Sequence, residues 1–229
     1  VMTEEKVVLK DCPKILDVLK MTNILSSLGV KVAWEGNDIH IDSGALHTYE
    51  IPETYAREIR SSIFLMGSIL GRLKKAKAVF PGGCEIGLRP INLHLKGLRN
   101  LNIKVIEEGG YIYCDGEHAR GSNIHLDFPS VGATENIMLA AVLAKGVTVI
   151  TNAAKEPEIV ALADFLRGAF YRIYLNQNVF TRDVFIDHVI NCLDLSHYFI
   201  YSSMQIVRIH TLTHSIASQI PIGVYPSIA

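Results

Sequence analysis

The chain contains Leu25-Ser26-Ser27-Leu28-Gly29-Val30-Lys31-Val32, and about seventy residues later it contains Leu98-Arg99-Asn100-Leu101-Asn102-Ile103-Lys104-Val105. After a similar interval it contains Leu166-Arg167-Gly168-Ala169-Phe170-Tyr171-Arg172-Ile173. In each case a helical pattern ends and leads into a strand-like run. This recurrence predicts three stacked copies of one supersecondary unit, beginning near Val8, Val79 and Val149.

The first copy shows what the unit contains. Residues 7–9 predict a strand, and Pro13 opens a helix that runs through Leu28 and stops at Gly29. Residues 30–34 and 39–41 alternate around the turn residues Gly36-Asn37-Asp38, which predicts a hairpin. The unit is therefore a strand, a helix and two further strands.

Two more helices, residues 54–73 and 133–145, are predicted between the copies. Their centres are apolar on nearly every face, which is typical of helices buried in an interior. The strands instead alternate with charged residues, as in sheets that have one face in water. The pattern predicts an α/β fold with helices inside and sheets outside.

A glycine-rich loop precedes the helix of the second copy, and it reads Pro81-Gly82-Gly83-Cys84-Glu85-Ile86-Gly87-Leu88-Arg89-Pro90-Ile91-Asn92-Leu93-His94. The glycines allow Cys84 to sit on an exposed turn, and Arg89 offers a guanidinium suited to phosphate or carboxylate. Pro90 favours the start of a helix. The alternatives are a buried, inert thiol and a solvated surface arginine.

This loop resembles the catalytic loop of UDP-N-acetylglucosamine enolpyruvyl transferases, the UDP-N-acetylglucosamine 1-carboxyvinyltransferases of the EPSP synthase-like superfamily. Residues 60–64, 127–136 and 152–159 match three more motifs of that family in order and spacing. The resemblance implies an inside-out α/β barrel of repeated βαβαββ-type units. It assigns residues 1–173 to the catalytic-loop domain, with the first repeat truncated at its amino end. Residues 174–229 do not match, and we interpret them as a divergent tail that a frameshift would explain.

The resemblance also implies substrates and roles. The substrates are phosphoenolpyruvate and UDP-N-acetylglucosamine, with no cofactor and no metal. Cys84 is the general acid, the site of a covalent phosphoenolpyruvate adduct and the target of fosfomycin, and Arg89 holds phosphoenolpyruvate. The sugar nucleotide contacts Arg60, Pro90, Ile91, Asn92, Leu93, His94, Ser130, Val131 and Gly132.

Simpler roles exist for several of these residues. Arg60 could be a helix-surface charge, His94 a histidine that caps a helix, and Ser130 a helix cap. Most relatives have aspartate where this chain has Asn92, which removes a negative charge beside the nucleotide. Some have lysine where this chain has Phe128.

Composition excludes several classes of protein. A net charge of -1 and a pI near 6.8 give no general attraction to nucleic acid or anionic membrane. The four cysteines are far apart, which does not indicate a zinc site or a disulfide framework. The apolar runs are short and a signal-peptide pattern is absent at the start, so the pattern favours a cytoplasmic protein. His210 and His214 have the spacing of a metal pair but no third ligand nearby.

Two functions remain open on the sequence. The first is enolpyruvyl transfer to UDP-N-acetylglucosamine, the first committed step of peptidoglycan synthesis. The second is a truncated, non-catalytic relative with at most weak binding of the nucleotide sugar. The family's Lys-Asn pair and second domain have no counterpart in these residues, so we expect little turnover from this chain alone. A hydrolase using Cys84 and His94 would lack an orienting acid and an oxyanion motif.

Overall fold

The computed structural model describes main chain and side chains of residues 1–80 and 91–167, and the main chain alone of 168–170, 173–175, 184–186, 200–201 and 206–211. The predictions for Cys84, Arg89, Pro90, Cys192 and His214 lie outside the described residues.

The three copies follow one another along the chain. The first comprises β1 (Val7–Lys10), α1 (Leu16–Ser27), β2 (Lys31–Glu35) and β3 (Asp38–Asp42). It is followed by α2 (Glu53–Ala56), a 3-10 helix (Arg60–Ile63) and α3 (Phe64–Leu73). The second comprises β4 (Lys75–Val79), α4 (Asn92–Asn100), β5 (Lys104–Glu108) and β6 (Tyr111–Asp115), followed by β7 (Asn123–His125) and α5 (Val131–Ala141). The third comprises β8 (Thr148–Thr151), α6 (Pro157–Phe170), β9 (Ile173–Leu175) and β10 (Val184–Ile186). Two strands follow, β11 (Ile200–Tyr201) and β12 (Ile206–Thr211).

The order of strands confirms the predicted repeat. The first copy is ordered β1-β3-β2 and the second β4-β6-β5, and all these neighbours are antiparallel. In both copies a helix therefore joins two parallel strands, and the third strand of the copy lies between them. The third copy keeps the order, β8-β10-β9, but its neighbours are parallel. The third copy thus departs from the pattern at its last strand.

The repeated leucine motif forms the same helix end in the first two copies. Val30 N–H donates to Leu25 O and Gly29 N–H to Ser26 O, with Gly29 at φ +94°. Ile103 N–H donates to Leu98 O in the same way, and Asn102 takes the left-handed conformation at φ +60°. Both ends are Schellman motifs, which need a residue that tolerates positive φ. In the third copy Phe170 occupies the position of Gly29, and α6 includes it.

Tight turns join the hairpins of the first two copies. Gly36 lies at φ +61° between β2 and β3, which confirms the hairpin predicted there. Gly109 and Gly110 lie at φ +59° and +81° between β5 and β6. Both turns match the right-handed twist of antiparallel strands.

The helices α3 and α5 form the centre of the fold, as predicted. Buried residues lie on every side of both helices, including Met66 and Ile69 on α3 and Ile137 and Met138 on α5. The outer strands alternate between buried and exposed positions, as in β6. The prediction of helices inside and sheets outside is confirmed.

The prediction of one helix over residues 54–73 is wrong. Ile59 takes extended angles, φ −131° and ψ 131°, between α2 and the 3-10 helix. Ser62 Oγ donates to Ala56 O at 3.1 Å and to Ile59 O at 2.8 Å, which satisfies carbonyls that a continuous helix would use. The break places Arg60 at the start of a new turn.

Three other helix boundaries, in two helices, differ from the prediction. α1 begins at Leu16 and not at Pro13, while it ends before Gly29 as expected. α5 begins at Val131, because Ser130 caps it, and ends at Ala141 and not at Lys145. The end of α5 leaves Gly146, at φ +94°, in the loop before β8.

Short strands make up the described part of the chain after residue 173. β12 pairs antiparallel with β1 and so extends the first sheet, and β11 pairs with β12 and forms the edge of that sheet. The division into a domain and a tail at residue 173 stays a prediction. Within the described residues no helix has the length and apolarity to span a membrane, and no cluster of three metal-ligating side chains occurs.

Candidate functional site

The candidate site residues lie at the amino-terminal ends of three helices: the 3-10 helix before α3, α4 and α5. Arg60 opens the 3-10 helix before α3, Ile91 caps α4 and Ser130 caps α5. A Cβ atom built on Gly132 would lie 3.2 Å from His94 Cε1 and 3.3 Å from Phe64 Cε1. The fold therefore brings the predicted residues of α4 and α5 together beside the start of α3.

His94 lies between α5 and the start of α3. Its residue is 6% exposed, its Nδ1 is 3.2 Å from Asn136 Nδ2, and its ring centroid is 6.5 Å from that of Phe64. Ile91, and not His94, occupies the cap position of α4. The described hydrogen bond of His94 is thus a tertiary contact between helices.

Burial and, to a smaller extent, the positive charge of Arg60 together lower the pKa of His94 from its ordinary 6.5 to about 4. The imidazole is therefore neutral at pH 7. A neutral ring with one donor and one acceptor can recognise oxygen and nitrogen atoms of a ligand, but it does not add positive charge to a phosphate site.

Ser130 is the amino-terminal cap of α5. Its Oγ accepts a hydrogen bond from Ala133 N–H at 3.3 Å, and its carbonyl accepts from Thr134 N–H at 2.9 Å. The N–H groups of the first turn have no intrahelical acceptors, so Val131 and Gly132 present a positive helix end suited to an anion. The capping role of Ser130 is confirmed, and anion binding there stays a prediction.

The run at the start of α4 splits into buried and exposed positions. Ile91 is buried in the core at 3% exposure, while Asn92 is exposed and Leu93 is half-buried. A ligand could meet the side chains of Asn92 and Leu93, but a contact with Ile91 would have to come from its main chain. The motif thus has a structural part as well as a candidate binding part.

Polar residues of α5 that the sequence reasoning missed extend this network. Asn136 is fully buried, and its Oδ1 accepts from Gly67 N–H at 2.8 Å. Thr134 Oγ1 accepts from Ala154 N–H at 3.1 Å, which ties the loop before α6 to the start of α5. The sequence does carry a signal for these two residues, because Thr134 and Asn136 are polar positions in an otherwise apolar helix.

Glu135 lies between these two residues and is half-buried. Burial and, to a smaller extent, the negative charge of Glu158 together raise its pKa from the ordinary 4.5 to about 7. Glu158 lies in the first turn of α6. Glu135 on α5 and Glu158 on α6 therefore lie close enough for their carboxylates to repel each other.

The two cysteines with described side chains are poor candidates for chemistry. Cys12 and Cys114 are buried, and burial raises their pKa values to about 11 and about 12. Cys114 Sγ contacts Met66 Sδ at 3.8 Å. Because the thiolate is the reactive form, both thiols are inert at neutral pH.

Comparison with protein families matches most of the chain to an enzyme family. The family model described as EPSP synthase (3-phosphoshikimate 1-carboxyvinyltransferase) matches residues 1–178. The match thus covers the three copies up to β9. It ends five residues beyond residue 173, where the resemblance seen in the sequence ends.

Curated relatives share about half of the aligned residues. "UDP-N-acetylglucosamine 1-carboxyvinyltransferase 2" of Caldanaerobacter subterraneus subsp. tengcongensis is 54% identical over 173 residues, which are 76% of this chain and 42% of that protein. "UDP-N-acetylglucosamine 1-carboxyvinyltransferase 1" of Carboxydothermus hydrogenoformans is 48% identical over 165 residues, 72% of this chain and 39% of that protein. The chain therefore spans about two fifths of the length of these relatives.

Solved structures show the same fold at low identity. The enolpyruvyl transferase NikO from Streptomyces tendae has a TM-score of 0.63 at 17% identity, covering 72% of this chain and 39% of NikO. EPSP synthase from Acinetobacter baumannii has a TM-score of 0.52 at 17% identity, covering 68% of this chain and 37% of that structure. These likenesses confirm the α/β fold predicted from the sequence.

Proposed function

Because the chain belongs to the EPSP synthase (3-phosphoshikimate 1-carboxyvinyltransferase) family, we propose that it is part of an enolpyruvyl transferase acting on UDP-N-acetylglucosamine. The observation that carries this proposal is the 54% identity over 173 residues with a UDP-N-acetylglucosamine 1-carboxyvinyltransferase. The proposed reaction transfers the enolpyruvyl group of phosphoenolpyruvate to the sugar's 3-hydroxyl and releases phosphate. We propose further that the protein acts in the cytoplasm, at the first committed step of peptidoglycan synthesis.

The described residues form the proposed nucleotide side of the site. The amino end of α5, with Ser130, Val131 and Gly132, offers main-chain N–H groups to the diphosphate. Arg60 adds a permanent positive charge, and it lies close enough to His94 to lower the pKa of that imidazole. The exposed side chain of Asn92 is available to the uridine. The geometry supports this assignment because these groups come from three separate segments and converge.

The residues proposed to carry out the chemistry lie outside the part of the chain that the structure describes. Cys84 would protonate the methylene carbon of phosphoenolpyruvate while the sugar hydroxyl gives up its proton and adds to the central carbon. Phosphate would then leave as the new methyl group loses a proton, which restores the double bond. Arg89 and Pro90 would bind beside it, and the same thiol would react with fosfomycin. The inert states of Cys12 and Cys114 support Cys84 as the reactive thiol over these two.

Calorimetry with UDP-N-acetylglucosamine tests the nucleotide site. We expect heat of binding with the wild-type chain and roughly ten- to 150-fold weaker binding with Arg60→Ala, because a charge-assisted hydrogen bond contributes about 1.5–3 kcal/mol. Arg57→Ala is the matched control. Arg57 lies three positions earlier and pairs with Glu53 at 2.8 Å on the exposed surface. Equal affinities for the two variants would contradict the role of Arg60.

A non-catalytic relative that binds the nucleotide sugar weakly is the alternative, and a two-substrate assay of phosphate release separates the two functions. We expect little release by the 229-residue chain as sole protein, since the resemblance assigns further substrate contacts to a Lys-Asn pair and a second domain outside these residues. Robust release by the chain alone would refute this expectation and the alternative together. Cys84→Ser is the control, because it removes the proposed acid.

A further inference from the structure

The orientation of the Asn136 side chain follows from its contact with α3. Gly67 N–H lies 2.8 Å from Asn136 Oδ1. A main-chain N–H can only donate, so the atom facing it must be the amide oxygen. The amide NH₂ group therefore faces His94 Nδ1, which lies 3.2 Å from Asn136 Nδ2.

That orientation decides where His94 carries its proton. An amide NH₂ group only donates, so Nδ1 must be the accepting, unprotonated nitrogen of the ring. In a neutral imidazole the proton then sits on Nε2. A protonated ring would bring two donors face to face, so this contact also disfavours the cation.

The Nε2 edge of the ring lies against the first turn of α5. A Cβ atom on Gly132 would lie 3.2 Å from Cε1 and 3.4 Å from Nε2. Gly132 is the second residue of that helix, where main-chain N–H groups lack intrahelical acceptors. A bound group with acceptor oxygens at this helix end would meet main-chain donors and His94 Nε2–H together.

We propose that Asn136 is a positioning residue that holds His94 in the neutral Nε2–H tautomer, so that Nε2 donates to an acceptor oxygen of a nucleoside diphosphate bound at the start of α5. This inference rests on the proposed function, because it takes the nucleotide sugar as the ligand. It goes further by giving a role to a fully buried residue on an apolar helix. Asn136 acts through His94 and does not touch the ligand itself.

Nitrogen-15 spectra of the full chain, labelled at histidine, test the tautomer directly. His94→Gln identifies the signals of this ring by their loss. We expect the wild-type ring to show a protonated Nε2 and an unprotonated Nδ1. Protonation on Nδ1 in the wild type would overturn the inference, and this measurement needs no variant of Asn136.

Two substitutions separate positioning from simple structural support. Asn136→Asp keeps the oxygen that accepts from Gly67 and replaces the donor with a second acceptor, so we expect His94 to become protonated on Nδ1. Asn136→Leu removes the donor, so we expect a mixture of tautomers and roughly tenfold weaker binding of UDP-N-acetylglucosamine, the loss of one hydrogen bond. An unchanged tautomer in the aspartate variant, or unchanged affinity in the leucine variant, would overturn the proposal.

Thr148→Val is the matched control. Thr148 Oγ1 is buried on β8 with no partner among the described residues, so its loss should change neither the spectrum of His94 nor the affinity. If the wild-type chain does not bind UDP-N-acetylglucosamine, the proposed function and the ligand named here both fail. The spectra would still decide whether Asn136 orients His94.

Discussion

Gly67→Ala is expected to destabilise the fold by about 2–3 kcal/mol, because overpacking at a rigid contact outweighs the better helix propensity of alanine. An added Cβ would overlap Asn136 Oδ1 and the main-chain oxygen of Asn136. The main-chain atom cannot rotate away, so α3 and α5 would have to separate. Urea denaturation of the purified variant measures the loss as a lower midpoint at an unchanged slope.

Gly116→Ala is the control, because it replaces a glycine with alanine at a position where the added Cβ is not crowded. An added Cβ there would have Lys74 O as its nearest neighbour at 3.4 Å, an ordinary contact. The change in stability should stay within about 0.5 kcal/mol. If Gly67→Ala proved as stable as Gly116→Ala, the close approach of α3 and α5 would not be a constraint. Displacement of Asn136 should also lower the affinity of Gly67→Ala for UDP-N-acetylglucosamine.

Glu135→Gln is expected to stabilise the fold by about 3 kcal/mol at pH 8 and to leave it unchanged at pH 4. The folded pKa of Glu135, about 7, lies above its ordinary value of 4.5. The folded state therefore holds more protons than the unfolded state between these values, and stability falls as the pH rises through them. Glutamine removes that cost at pH 8, where the carboxylate is charged, and matches the neutral acid at pH 4. Denaturant unfolding at pH 4, 6 and 8 measures the difference.

Glu108→Gln serves as the charge control, because Glu108 is exposed on β5. Its effect should be small at every pH. His94 acts in the opposite direction, since its lowered pKa means that stability is lost as the pH falls from 6.5 toward 4. That loss is common to the wild type and the variant and cancels in the comparison. A difference independent of pH would contradict the burial of a charged Glu135.

The sequence predicted the repeat correctly because the repeat depends on local chemistry. Each Schellman motif needs a residue that accepts positive φ, and Gly29 and Asn102 supply it at corresponding positions. Leu28 and Leu101 beside them are fully buried. The eight residues of each repeated motif therefore predict the end of the helix, the strand that follows it and the leucine that is buried in the core.

The break before Arg60 could not be predicted in the same way. Apolar residues on both sides fit a continuous helix, and only tertiary packing makes the extended conformation of Ile59 the better one. Ser62 stabilises the break through its two carbonyl partners, but serine also occurs in ordinary helices. The position of Arg60 beside His94 depends on this break.

Asn136 was missed because its function is visible only in three dimensions. Its two partners, Gly67 and His94, lie 69 and 42 residues away along the chain. A sequence pattern indicates a polar interruption of an apolar helix, but not which groups it satisfies. Asn136 lies within the matched motif of residues 127–136, but the sequence assigned it no role in the site because its partners are distant along the chain.

The contact between α3 and α5 also affects synthesis of the chain. α3 ends at Leu73, and its partner is complete only at Ala141. At about 5–20 residues per second, the ribosome needs roughly 3–14 s to make the intervening segment. During that interval an apolar helix emerges without the surface that will cover it. We therefore expect nascent chains of this protein to expose apolar surface until α5 has been translated.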